Sequence, residues 1–202
     1  MEYRAVGNRV AVDFESLKLP LSQEKILEIL IRKGFKVVEV DLISLARQCI
    51  VTSKYRRGAR LYEAPSTVDC SSFTKWLYGE CGIWLPRRSI QQREFGEEIN
   101  LKDIRENDLI FVSGWIDYYN INPKDGVGHV GIVSNNKTVI HAANSKVNVT
   151  ESSITDFVSR DKFRGARRYM PNSAKVITLE TPIGREVEIA DDIKWIISQS
   201  FS

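Results

Sequence analysis

At 202 residues, 43% of them hydrophobic, the chain has the length for one domain with a small appendage and can cover a core unaided. Charged residues make up 27% but nearly cancel at a formal +3, and the cluster Lys54, Arg56, Arg57, Arg60 is too short for a nucleic-acid stripe. No apolar run reaches the ~18 residues of a membrane-spanning helix, so neither a nucleic-acid partner nor a transmembrane segment is expected.

Met1 to Pro20 carries Glu2, Arg4, Arg9, Asp13 and Glu15 and lacks the apolar core of a secretory signal. The expectation is a protein cytoplasmic as synthesised, or exported by a non-standard route or from a chain trimmed of its leader. Ser22 announces a helix whose apolar positions Ile26, Leu27, Leu30 and Ile31 recur at helical spacing until Gly34. Phe35 to Val40 reads as a short extended segment, and Asp41 caps a second helix presenting Leu42, Leu45, Ala46 and Cys49 on one side. Thr52 to Thr67 shows no period and reads as loop. Asp69 then caps a helix whose stripe is Phe73, Trp76, Leu77 and Cys81, ended by Gly82, which puts Cys70 in its first turn.

From Leu101 the texture changes to short β-rich runs: Leu109 to Val112, Val127 to Ser134, Thr138 to Ala142 and Val147 to Thr150. Asn135-Asn136-Lys137 joins two of them as a hairpin, and the longer aromatic stretch Ser113 to Gly126 has the character of a substrate-lining loop. Beyond Pro171, Lys175 to Glu180 and Arg185 to Ile189 flank a Thr181-Pro182-Ile183-Gly184 turn as a second hairpin, followed by a helix from about Asp191 to Ser198. Helices lead and strands follow, the order of an α+β fold. The expected organisation is an N-terminal extension over 1–40, a main domain over 41–170, and a C-terminal hairpin and helix over 171–202 packed on it.

The three cysteines, Cys49, Cys70 and Cys81, form no CxxC pair, which fits neither a disulfide framework nor a four-thiolate zinc site. Cys70 and Cys81 on one helix would stand about 16 Å apart, beyond disulfide reach. A thiol in the first helical turn meets the positive end of the dipole, which favours the nucleophilic thiolate. Such a nucleophile needs an imidazole from another element, and the chain has two, His129 and His141. Their midpoint in sequence is Asn135, so an odd-numbered turn centred there would place them directly opposite each other on one face. The second ring would orient the first and fix its tautomer.

The strings Asp69-Cys70-Ser71-Ser72-Phe73, Leu85-Pro86-Arg87, Gln91 or Gln92, Asn107-Asp108-Leu109-Ile110-Phe111, Gly128-His129-Val130-Gly131-Ile132-Val133, Val139-Ile140-His141-Ala142 and Ala166-Arg167-Arg168-Tyr169 together resemble the NlpC/P60 family over about Asp41 to Tyr169. The resemblance implies a papain-like α+β fold, helices on a small antiparallel sheet, with the nucleophile at a helix N-terminus. It implies a cysteine peptidase acting on amide bonds in peptides, commonly the D-glutamyl to diamino-acid linkage of bacterial cell-wall stem peptides or their fragments, with no cofactor and no metal. Cys70 would be the nucleophile, His129 the base and His141 the orienting residue. Tyr62 would line the site, and Asp69 and Ser71 would lie near the substrate's amino end, a role compatible with Asp69 as a helix cap. Ala64-Pro65 stands where the family has Gly-Gly, and Ser72 where it has glycine. An acyltransferase or deamidase on the same scaffold, or a non-catalytic zinc- or ligand-binding protein using Cys70, His129 and His141, are the alternative readings.

Overall fold

The structure is a computed structural model that describes residues 3–159, 161–170 and 176–200. In chain order its strands and helices are β1 (Arg9–Asp13), α1 (Gln23–Arg32), β2 (Lys36–Val38), α2 (Leu42–Thr52), β3 (Lys54–Tyr55), β4 (Thr67–Val68), α3 (Cys70–Glu80), α4 (Ser89–Arg93) and β5 (Glu97–Ile99). They continue with β6 (Leu109–Val112), β7 (His129–Val133), β8 (Thr138–Asn144), β9 (Asn148–Ser153), α5 (Ile154–Phe157), β10 (Phe163–Arg168), β11 (Val176–Glu180) and α6 (Ala190–Ser198). The α+β composition read from the sequence is observed, and among the described residues no helix is long and apolar enough to cross a membrane.

The chain divides into two compact units. One gathers the described residues of 3–40, 78–84 and 176–200 around a three-stranded antiparallel sheet ordered β1-β11-β2. Its core includes the fully buried Val10, Val12, Leu30, Ile193 and Ile197. Ser22 caps α1 by accepting the Lys25 N–H at 3.3 Å, as the sequence suggested. Gly82 adopts φ +71°, and a Cβ on it would stand 2.6 Å from the Val10 backbone, so both the turn and the close approach require glycine.

The expected C-terminal hairpin is not formed. Instead β11 lies between β1, with Val10 opposite Leu179, and β2, with Thr178 opposite Val38. The 185–189 segment supplies a single bridge, Ile189 to Arg4. Both ladders of β11 are filled by strands from the first forty residues, which leaves no edge for its sequence neighbour; burial of Leu179 at 1% exposure outweighs the local turn chemistry. Lys175, the expected start of that strand, lies outside the described residues.

The second unit comprises residues 41–77 and 85–170, with Arg160 outside the described residues. It holds a six-stranded antiparallel sheet ordered β5-β10-β6-β7-β8-β9 and a two-residue parallel pair, β3-β4. Leu109–Val112 is buried at every position, because a central strand covered on both faces has no solvent side to alternate with. Ile110, Val112, Val133, Val139 and Ala166 pack with Ile154 and Phe157 into one apolar cluster. Asp41 caps α2 by accepting the Ile43 and Ser44 N–H groups at 3.0 and 2.9 Å, and α2 packs on β9 with the buried Cys49 on its inner side.

Several motif residues hold this unit together. Asp108, 1% exposed, takes a two-pronged bond from Arg168, Nε to Oδ1 at 2.8 Å and Nη2 to Oδ2 at 2.7 Å, which ties the start of β6 to the end of β10. Gln92, fully buried, donates to the carbonyls of Ser71 at 2.9 Å and Pro86 at 3.0 Å and accepts from the Thr74 hydroxyl at 2.9 Å. One amide thus clamps the first turn of α3 to the Leu85-Pro86-Arg87 segment, and every polar atom it buries is paired.

Candidate active site

Cys70 is the first helical residue of α3, and the turn before it is held by reciprocal capping. The Asp69 carboxylate accepts the Ser72 N–H at 2.8 Å, while the Ser72 hydroxyl accepts the Asp69 N–H at 2.8 Å. Serine at position 72 therefore has a local job that glycine could not perform. Asp69 also accepts the Gly58 N–H at 3.0 Å and is gripped by Arg87, whose guanidinium further donates to the Ser71 hydroxyl at 2.9 Å and the Ala59 carbonyl at 2.7 Å. Asp69 and Ser71 are both buried and both engaged by that one arginine.

The β7–β8 hairpin closes through Asn135, whose side chain accepts the Lys137 and Thr138 N–H groups at 2.8 and 3.0 Å. The ladder pairs Val133 with Val139 and Ile132 with Ile140, which centres the turn on Asn136 rather than Asn135. The two histidines share one face, as expected, but they are diagonal neighbours and not directly opposite. The turn is odd-numbered, so parity was preserved, while the residue at its centre is set by the Asn135 side chain folding over the two N–H groups that follow.

The diagonal contact is direct: Nε2 of His129 and Nδ1 of His141 are 2.8 Å apart, with the rings edge to face at 5.0 Å between centroids. On its other side His141 Nε2 lies 3.0 Å from the Ser152 hydroxyl of β9. His141 pairs with Thr150, two residues before Ser152, so this bond is again diagonal, and His141 links three strands on one face. Phe157 of α5 packs on both rings, with centroids 5.5 Å from His129 and 4.8 Å from His141.

Cys70, His129, His141, Asp69 and Ser71 all line one cleft of about 1310 Å³ in this unit. The Cys70 sulfur receives the N–H groups of Val130, next to His129, and Ser71. Burial pushes the thiol up to about 12, and Asp69 adds to the rise, while those N–H groups and Arg87 pull the other way. Burial pulls His129 down to about 3, helped by His141 and then Lys162 and opposed by Asp69, and burial pulls His141 down to about 4. The first-turn position expected to favour a thiolate is thus outweighed by desolvation of the lone charge. Moving the proton from sulfur to imidazole creates two opposite charges side by side, whose attraction offsets that cost, so the site resists each isolated ion more than the pair.

Tyr62 stands apart from the other expected site residues. It is 78% exposed, accepts from Arg60 at 3.2 Å and is outside the cleft lining. Tyr55 instead lines the cleft beside Cys70, half-buried, its hydroxyl held up by burial and by Cys70 and Asp69. Pairing of Tyr55 with Val68 in the β3–β4 bridge delivers it beside the start of α3, and a two-residue parallel bridge leaves no periodic signal in sequence. No motif in the sequence marks Ser152, Phe157 or Lys162, which also line the cleft. Ser152 becomes visible only once the β8–β9 register is known. The Ser113 to Gly126 loop does border the cleft, through Gly114, Trp115, Ile116 and Tyr118. Gly128 lets that loop approach, since a Cβ there would lie 2.4 Å from the Asp117 carboxylate and the Ile116 carbonyl.

A Probable endopeptidase of Corynebacterium glutamicum is 34% identical over 104 residues, 52% of this chain and 43% of that protein. A Gamma-D-glutamyl-L-lysine dipeptidyl-peptidase of Bacillus cereus is 29% identical over 103 residues, 51% of this chain and 29% of that protein. Among solved structures, an NlpC/P60 family protein from Bacillus cereus superposes with a TM-score of 0.55 at 26% identity, covering 65% of this chain and 40% of that one. The chain spans less than half the length of each of these three proteins. Residues 52–168 match the NlpC/P60 family, and the chain belongs to it.

Proposed function

We propose that the protein is a cysteine peptidase that hydrolyses amide bonds in cell-wall stem peptides or their fragments, at the bond between a γ-linked D-glutamyl residue and a diamino acid. The observation that carries this reading is the 2.8 Å bond between the His129 and His141 rings in the cleft that Cys70 opens onto. The relative from Bacillus cereus, named for γ-D-glutamyl-L-lysine cleavage, supports the choice of bond.

In this mechanism the His129 Nε2 position is committed to His141, which leaves Nδ1 for the sulfur. Nδ1 can accept a proton only if Nε2 carries one, so His129 donates from Nε2 to His141 Nδ1, and His141 in turn donates from its own Nε2 to the Ser152 hydroxyl oxygen. Nδ1 takes the thiol proton as sulfur attacks the carbonyl carbon. The imidazolium then gives that proton to the amide nitrogen, the C–N bond breaks, and the amine leaves a thioester on Cys70. Water attacks the thioester with His129 accepting its proton, which releases the acid and restores the thiol. Cys70 is the nucleophile, His129 the base and acid, His141 and Ser152 positioning residues.

Digestion of synthetic stem peptides followed by mass spectrometry tests the reading. Expected are two fragments, a free acid and a free amine whose masses together exceed the substrate by one water, and no fragments with Cys70→Ala. Transfer of the acyl group to an added amine in preference to water would convert the proposal to a transferase, and release of ammonia alone to a deamidase.

A further inference from the structure

Around the cleft stand Arg57, Arg87, Arg88 and Lys162, against the acids Asp69 and Asp156. Most of these are already engaged. Arg87 and Asp69 satisfy each other, Asp156 accepts the Ser153 hydroxyl at 2.6 Å, and Arg88 lies over the Tyr118 ring at 5.0 Å. Arg57 and Lys162 form no ion pair among the described residues; Arg57 is exposed, whereas Lys162 is half-buried.

Its position is held by the sheet. The Lys162 carbonyl accepts the Ser113 N–H at 2.9 Å. The next residue, Phe163, pairs with Val112, and Val112 pairs with His129. Lys162 therefore sits at the end of a row of three strands that finishes at the proposed base, and its charge is felt by that ring. An ammonium kept partly out of water without a counter-ion is poised for an anion that arrives with the substrate. Resting on the reading above, the attacked carbonyl is the side-chain carboxyl of a glutamyl residue, whose α-carboxylate remains free four bonds away. A peptide amidated at that carboxyl has nothing to offer the ammonium.

We infer that Lys162 is a specificity-determining residue, reading the free α-carboxylate of the γ-glutamyl residue on the acyl side of the cleaved bond. The substrates selected are acidic γ-glutamyl peptides over the corresponding isoglutaminyl carboxamides.

The test uses the full chain with two stem peptides identical except for a free α-carboxylate or an α-carboxamide on the glutamyl residue. Wild type should favour the carboxylate peptide in kcat/KM by roughly tenfold or more, the range for a charge-assisted bond. Lys162→Met should collapse that ratio to near one, and Lys162→Arg should keep most of it. Cleavage of the carboxamide peptide by Lys162→Met reports that the variant is folded and competent. Equal cleavage of both peptides by wild type would overturn the inference while leaving the peptidase reading intact, and so would loss of the preference through Arg88→Met with Lys162→Met still selective. Failure of wild type to cleave either peptide would overturn both.

Discussion

Gly131 faces His141 so closely that a Cβ placed on it would stand 3.1 Å from the His141 Cβ and 2.6 Å from Cγ2 of Val139. Extending the β7–β8 register puts Gly131 directly across from His141, with His129 two residues earlier on the same face. The missing side chain is what lets two rings meet diagonally across the space it would fill. Gly131→Ala should lower kcat/KM by roughly 10- to 100-fold through misplacement of the rings and destabilise the fold by about 1–3 kcal/mol. Steady-state kinetics beside urea unfolding would check this; unchanged kinetics would show that the histidine contact tolerates the methyl group.

Cys70 is half-buried in the cleft, whereas Cys49 and Cys81 are 2% and 5% exposed. Iodoacetamide near neutral pH should modify Cys70 at least about tenfold faster than either other thiol, read by peptide mapping. His129→Ala should slow the Cys70 reaction, because without a neighbouring proton acceptor the lone thiolate meets the burial that pushes the thiol up to about 12. Labelling of all three thiols at one rate would count against an activated nucleophile.

The chain of bonds from His129 through His141 to Ser152 predicts a graded series. His129→Ala should cost roughly 100- to 10,000-fold in kcat, His141→Ala less, and Ser152→Ala roughly 3- to 10-fold. Ser152→Thr, which keeps the hydroxyl, should recover most of that loss. A purely structural serine would not alter the His141 tautomer, so nitrogen NMR of the ring distinguishes the roles: Ser152→Ala should mix tautomers that wild type holds apart. A greater loss from His141→Ala than from His129→Ala would exchange the assignments.

Both rings are held neutral in the fold, His129 down to about 3 and His141 down to about 4, from an ordinary value of 6.5. Between these values the unfolded chain takes up protons that the folded chain refuses. Their contribution to stability is therefore present in full above about pH 6.5 and falls as pH drops toward 4. At pH 5.5 the two rings together should cost roughly 3 kcal/mol relative to pH 7.5, at about 1.4 kcal/mol per pH unit and ring over the unit below 6.5. Urea midpoints at both pH values would measure this, and replacing both histidines by glutamine should flatten the difference. A wild-type curve already flat over that interval would contradict neutral buried rings.

Local signals carried far along this chain. Caps at Ser22, Asp41 and Asp69 marked where helices begin, because a side chain that satisfies orphan N–H groups sits within three residues of them. The apolar runs Leu109 to Val112 and Val127 to Ser134 marked strands for the same reason of short range. The motif around Cys70 placed the thiol at a helix start, and the even sequence separation of the two histidines put both on one face whichever odd turn joined them.

What the sequence by itself determined was the starts of α1, α2 and α3, the strands β6 to β9, and the set Cys70, His129 and His141 that shares one cleft. Only the tertiary structure decided that the histidines meet diagonally, that Tyr55 rather than Tyr62 lines the cleft, that β11 pairs with β1 and β2, that Ser152 meets His141 and that Lys162 joins the cleft wall. Caps and periodicity are written in neighbouring residues, whereas register, the partner of a strand and the cost of burying a charge depend on chain that arrives from far along the sequence.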